Sequence, residues 1–154
     1  MIALLVILII GAWLVYEHVL QTQLDKYNLV LSQAQALDRG NHHQEEKSVL
    51  LAYLKTGPPK QYRSEPLMIL GDLAFDNRDD SGAISYYQQA VASSDGKLTE
   101  LQAESIGEAA AAAGNKTVAL EYFKKAIQLT VVSPGVSSDI DDLKATVSQL
   151  ESGK

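Results

Sequence analysis

The first sixteen residues, MIALLVILIIGAWLVY, carry no charged side chain, and Glu17 and His18 are the first to interrupt the run. Val19 and Leu20 extend its apolar side. Twenty helical residues rise roughly 30 Å, the thickness of a bilayer's hydrocarbon core. Trp13, Tyr16 and His18 are amphipathic rings that suit a headgroup interface. The pattern predicts an uncleaved membrane anchor over residues 1–20. The rival readings are a buried core helix and a signal peptide. A signal peptide needs a basic leader and a small-x-small cleavage site, and neither Met1-Ile2 nor LVYEHVLQTQ supplies one. Lys26 is the only basic side chain within ten residues of the segment, so charge gives its orientation little to count.

Beyond the leader the apolar positions recur at helical steps. Leu24, Tyr27, Val30, Leu31, Ala34 and Leu37 make one face of a helix that Arg39-Gly40-Asn41 ends. A second helix, His42 to Lys55, carries Val49, Leu50, Ala52, Tyr53 and Leu54 and stops at Thr56-Gly57-Pro58-Pro59. Further helices are predicted over 65–76, 81–93, 98–113 and 116–129, with Asp79 or Asp80 and Ser81 capping the second of them. After a break at Val131 to Gly135, a last helix starts at Ser137 or Ser138. It carries Ile140, Leu143, Val147 and Leu150 on one stripe.

Two of these hairpins repeat. Leu67, Leu70, Gly71, Ala74, Ala83, Tyr87 and Ala90 recur 36 positions later as Ala103, Ile106, Gly107, Ala110, Ala119, Phe123 and Ala126. The glycines are small where the two helices of a hairpin meet. Ala83 and Ala119 serve the same close contact, and Tyr87 and Phe123 fill the gap between neighbouring hairpins. The set resembles the tetratricopeptide repeat (TPR), a helix–turn–helix unit whose consensus is two residues shorter. It departs from that pattern at Leu67 and Ala103, where a large first residue is usual. It departs again at Asp95 and Val131, which hold the terminal proline position, although Pro134 follows. Residues 21–60 read as a degenerate first hairpin in which Gln33, Glu45 and Val49 replace the glycine, alanine and aromatic positions.

The expected fold is therefore all-α. A transmembrane helix (1–20) precedes a TPR-like superhelix of about three hairpins (21–60, then two repeats over 61–134). A capping helix and tail (135–154) closes the array, as repeat arrays require.

The resemblance implies a concave groove lined by the first helix of each hairpin. Its positions are Tyr27, Val30 and Ala34, then Met68, Asp72, Phe75 and Asp76, then Glu104, Glu108 and Ala111. Gly71, Ala83, Tyr87, Ala90, Gly107, Ala119, Phe123 and Ala126 would be packing positions. The groove set is apolar and acidic, so it suits a partner with exposed apolar and basic groups.

Composition narrows the chemistry. Thirteen basic against nineteen acidic side chains give a net charge of −6, which argues against nucleic acid as a partner. The absence of cysteine removes disulfides and thiolate chemistry. No GxSxG, HExxH or phosphate-binding glycine loop occurs. His42 and His43 are helix neighbours about 100° apart and do not readily share one metal. No catalytic residue, cofactor or metal is expected. Asn115-Lys116-Thr117 is a glycosylation triplet whose simpler role is a tight turn.

The expected function is a non-catalytic, membrane-anchored adaptor that binds a protein partner and assists transport, folding or complex assembly. Its partners would be membrane proteins or a membrane complex, with the lipid bilayer held through residues 1–20. The domain order is similar to that of single-span bacterial inner-membrane proteins with a periplasmic repeat domain, such as the YfgM-type ancillary partners of the Sec translocon. An accessory structural subunit of a larger membrane complex is the alternative. A mitochondrial import receptor fits less well, because few basic residues follow the anchor.

Overall fold

The computed structural model describes residues 2–132 and 140–152, and within them every side chain except those of residues 2–6, 8 and 132. The expected break before Gly135 and the helix start at Ser137 or Ser138 fall largely in 133–139, outside the described residues. The described chain is all-α, with seven α-helices, one short 3-10 turn and no strand. The helices are α1 (Ile2–Arg39), α2 (His43–Lys55), α3 (Ser64–Asp76), α4 (Asp80–Ser93), α5 (Glu100–Ala112), α6 (Lys116–Val132) and α7 (Ile140–Ser152), with the 3-10 turn at Lys60–Tyr62. The chain forms two compact units, Met1–Tyr62 and Arg63–Lys154.

In the first unit, the apolar leader and the amphipathic helix that follows are one uninterrupted helix. α1 runs for 38 residues, roughly 57 Å at the usual rise. No proline or glycine lies between Gly11 and Gly40 to break it. Ile9, Ile10, Trp13, Leu14, Val15, Tyr16 and Val19 are all exposed on it. Among the described residues no helix is long and apolar enough to cross a membrane. The anchor expected over residues 1–20 falls in part on residues 1–6 and 8, whose side chains are outside the description. α1 folds back on α2. Ala34 and Leu50 are fully buried between them and Tyr53 nearly so. The Tyr27 and Tyr62 rings meet at a tilt of 35°, with centroids 5.1 Å apart.

In the second unit, α3 packs on α4, α4 on α5, α5 on α6 and α6 on α7. The two hairpins close on the same device. Tyr87 packs against Gly71, and Phe123 packs against Gly107. A Cβ at Gly107 would come 2.9 Å from the Phe123 ring, and one at Gly71 would come closer still to Tyr87. Ala83, Ala90, Ala119 and Ala126 are fully buried beside them. Each ring also reaches beyond its own hairpin. Tyr87 shares a buried cluster with Ile106 and Ala109 of α5, and Phe123 shares one with Leu143 and Val147 of α7. Burying these side chains is the main favourable term in such a small alanine-rich core.

Turn chemistry repeats as well. The amides of His42, Asp79 and Asn115 donate to carbonyls five residues back, at Leu37, Ala74 and Ala110. Asn41, Arg78 and Gly114 sit in the left-handed region that closes such a helix end, with φ of 56°, 63° and 72°. Asp79 Oδ1 then accepts from the Gly82 amide at 3.0 Å, and Asn115 Oδ1 accepts from the Val118 amide at 3.3 Å. His42 makes no side-chain cap. Asp95, at the consensus proline position, also has a positive φ of 55°. A proline ring fixes φ near −65° and cannot occupy that backbone, which accounts for the departure from the repeat pattern.

A polar knot that periodicity does not announce ties α3, α4 and α5 together. Thr99 and Gln102 form a reciprocal capping box at the start of α5. Gln102 Nε2 also donates to Ser64 Oγ at 3.3 Å, and the Ser94 hydroxyl donates to the same oxygen at 2.8 Å.

Candidate functional site

The second unit carries a cleft of about 620 Å³ lined by Phe75, Glu104, Glu108, Ala111, Phe123, Asp142, Leu143 and Thr146. Four helices build it. α3 places Phe75, one turn beyond Gly71. α5 places Glu104, Glu108 and Ala111 at successive steps of four and three, hence on one face. α6 contributes the Phe123 ring, which also packs against Gly107. α7 supplies Asp142, Leu143 and Thr146, and its position is pinned by burial of Leu143 and Val147. Lys124 and Glu151 meet across α6 and α7 at 2.7 Å, an exposed pair that adds little to stability. The cleft thus has an apolar floor of Phe75, Ala111, Phe123 and Leu143 under three carboxylates. None of those carboxylates has an ion-pair partner among the described residues.

A second pair of carboxylates extends this acidic face. Asp72 and Asp76 lie one turn apart on α3. The Tyr87 hydroxyl donates to Asp72 Oδ1 at 2.8 Å, so Asp72 is held by the same ring that covers Gly71. Partial desolvation keeps the Asp72 carboxyl above the ordinary carboxylate range. The Tyr87 hydrogen bond opposes that shift and the charge of Asp76 adds to it. Glu108 is raised too, first by desolvation, then by the charges of Glu104 and Asp72. Burial, the bond to Asp72 and the surrounding carboxylates push the Tyr87 hydroxyl far up, so it remains a donor.

Of the groove positions implied by the resemblance, Phe75, Glu104, Glu108 and Ala111 come together in this cleft. Asp72 and Asp76 flank it through the charge coupling just described. Met68 is half-buried against the cluster around Tyr87. Tyr27 and Val30 belong to the other unit. Val30 lines a separate, mostly apolar cleft of about 400 Å³ with Lys26, Leu29, Gln33, Val49, Ala52, Tyr53 and Thr56. Ala34 is fully buried between α1 and α2 and is a packing residue. Gly71, Ala83, Tyr87, Ala90, Gly107, Ala119, Phe123 and Ala126 are all buried.

Sequence reasoning missed the contribution of α7, which it treats only as a cap. Asp142 and Thr146 lie four apart on α7, on the same flank of the apolar stripe that carries the buried Leu143. That phase was the available signal.

No protein-family model matches the chain, and no curated protein matches it in sequence.

Proposed function

We propose that the protein is a membrane-tethered adaptor of tetratricopeptide-repeat type. Its second unit binds an apolar and basic segment of a partner protein and thereby assists transport, folding or assembly of membrane-associated proteins. The observation that carries this reading is the cleft of Phe75, Ala111, Phe123 and Leu143 beneath the unpaired carboxylates of Glu104, Glu108 and Asp142. An apolar floor rewards burial of a partner's side chain, and an unpaired acidic rim selects basic neighbours and repels acidic ones. The repeat reading rests on the 36-residue register and on the matching Gly71–Tyr87 and Gly107–Phe123 contacts. The tether reading rests on the uncharged leader and on the exposed run from Ile9 to Val19. Tethering concentrates the cleft near membrane partners, so weak contacts suffice.

The test is photocrosslinking in cells from a benzoylphenylalanine placed at Phe75. A discrete adduct that disappears in Glu104→Lys/Glu108→Lys is the expected outcome. An adduct that survives the charge reversal removes the acidic rim from the mechanism. Carbonate extraction tests the tether: release of the chain into the soluble fraction overturns it. The accessory-subunit reading draws on the apolar cleft around Leu29 and Val30. Copurification at fixed stoichiometry after detergent extraction, with no adduct from residue 75, would favour that reading.

A further inference from the structure

The turn between α1 and α2 gathers three metal-binding side chains from two helices. Asp38 lies in the last turn of α1, and His43 and Glu46 lie in the first turn of α2. One ligand atom from each comes within 4.8 Å of the others. His43 Nδ1 stands 3.6 Å from Glu46 Oε2. The surroundings of the three differ in a way that matters. Asp38 is exposed and free to adjust. The His43 side chain is 43% exposed. Glu46 is only 3% exposed, and its Oε2 has no hydrogen-bond partner.

A buried carboxylate oxygen without a donor is costly, because it loses its water and gains nothing in return. Here the neighbouring charge makes matters worse. Desolvation, followed by the proximity of Asp38, holds the Glu46 carboxyl above its ordinary range despite His43. His43 Nδ1, at 3.6 Å, is too far to hydrogen-bond that oxygen. A divalent cation placed among the three would satisfy the buried oxygen and neutralise both carboxylates at once.

We infer that Asp38, His43 and Glu46 form a binding site for a zinc-class divalent transition metal, bridging the two helices of the first hairpin. One imidazole and two carboxylates is a donor set that zinc accepts, with water completing a fourth position. Zinc bonds of about 2.0–2.2 Å put tetrahedral ligand atoms roughly 3.3–3.6 Å apart. His43 and Glu46 already meet that spacing within a few tenths of an ångström. The exposed Asp38 closes the remainder by a rotamer change. The two histidines are thus divided in role: His43 faces Asp38 and Glu46, whereas His42 pairs outward with Glu45 at 3.4 Å. Binding joins the end of α1 to the start of α2 and stabilises the hairpin that lacks a side-chain cap.

The experiment is titration of the full chain with zinc by calorimetry at pH 7.5, alongside thermal melts with zinc and with a chelator. One saturable site is expected, with a melting temperature that rises with zinc and falls back with chelator. His43→Gln and Glu46→Gln should each weaken binding by at least about tenfold, and His42→Gln should leave it unchanged. His43 and Asp38 are surface side chains, so His43→Gln and Asp38→Asn remain informative even if Glu46→Gln fails to fold. Absence of saturable binding, or equal binding by wild type and His43→Gln, overturns the site. Loss of binding in His42→Gln together with retention in His43→Gln would likewise overturn it.

Discussion

In α3–α4 and α5–α6 the crossing of the helices is set by an aromatic ring lying on a glycine. In α1–α2 the corresponding positions are Gln33 and Val49, and the residues turned inward are Ala34, Leu50, Tyr53 and the carboxylate of Glu46. Yet all three hairpins turn through the same backbone hydrogen bonds and the same left-handed residue. The turn is therefore a property of the helix end, indifferent to what the helices enclose. The interior is where the hairpins diverge: two are closed by a ring packed on a glycine, and one contains a buried carboxylate. Shape is hard to alter and charge is easy to titrate, so the two kinds of interior should respond to different perturbations.

The largest effect is expected from filling the glycines. Gly71→Ala drives a methyl into the Tyr87 ring, and Gly107→Ala drives one less deeply into Phe123. Overpacking of this kind costs about 1–3 kcal/mol. Alanine returns roughly 1 kcal/mol in helix propensity. We expect net losses of about 2 kcal/mol at position 71 and about 1 kcal/mol or less at position 107, read by urea denaturation. Gln33→Ala in α1, at an exposed position, should not destabilise. No cost at 71 and 107, or a cost at 33 equal to theirs, would dissolve the contrast between the hairpins.

Next comes Tyr87→Phe. It keeps the ring on Gly71 and removes only the hydroxyl that donates to Asp72. The loss should be about 1 kcal/mol or somewhat more, as the acceptor is charged and partly desolvated. Because that bond holds the Asp72 pKa down against burial, the variant should show a still higher Asp72 pKa in a carbon-detected NMR titration. An unchanged Asp72 titration would mean that the hydroxyl serves packing only.

The turns offer a smaller and signed test. Gly114 has φ of 72° with open space around it, so Gly114→Ala pays only for the left-handed backbone, about 1 kcal/mol. Arg78 occupies the equivalent position with φ of 63°. Arg78→Gly should then gain a few tenths to about 1 kcal/mol, the mirror image of the other substitution. If both substitutions destabilise, the turns are not equivalent.

What could be read from the sequence follows the same division. Gly71 and Gly107 stand out because only glycine admits a ring at that distance, and their spacing repeats. Helix ends were legible from Gly40-Asn41, Asp79 and Gly114-Asn115. The knot of Ser64, Ser94 and Gln102 was not legible, since hydrogen bonds between residues 30 and 38 apart leave no local trace. The wall that α7 lends to the cleft was legible only in part: the phase of Asp142 and Thr146 on the helix could be read, but not which helices α7 packs against. The burial of Glu46 lies between these cases. It falls four before Leu50 and seven before Tyr53, on the buried stripe of α2. A glutamate at such a phase marks an ionisable group in the interior, although adjacent Glu45 and Glu46 look alike by composition.

The smallest effect concerns pH. Asp72 and Glu108 have folded-state pKa values above their ordinary ones. Their protonated forms are thus favoured by folding, and the ionised forms are penalised. The stabilising contribution is complete below the ordinary carboxylate range and is lost as pH rises through the raised values. Both side chains remain solvent-accessible, so screening keeps the effect modest. The melting temperature of the second unit should therefore drift upward, by a degree or so, between pH 7 and pH 5. In Asp72→Asn/Glu108→Gln the drift should vanish. Added salt should flatten it as well, because the mutual repulsion of Asp72, Asp76, Glu104 and Glu108 is screened within about 8–10 Å at physiological ionic strength. A basic peptide seated on the cleft would reverse the sign. It lowers those same pKa values, and the complex should then be most stable at neutral pH, where the free protein is at its weakest.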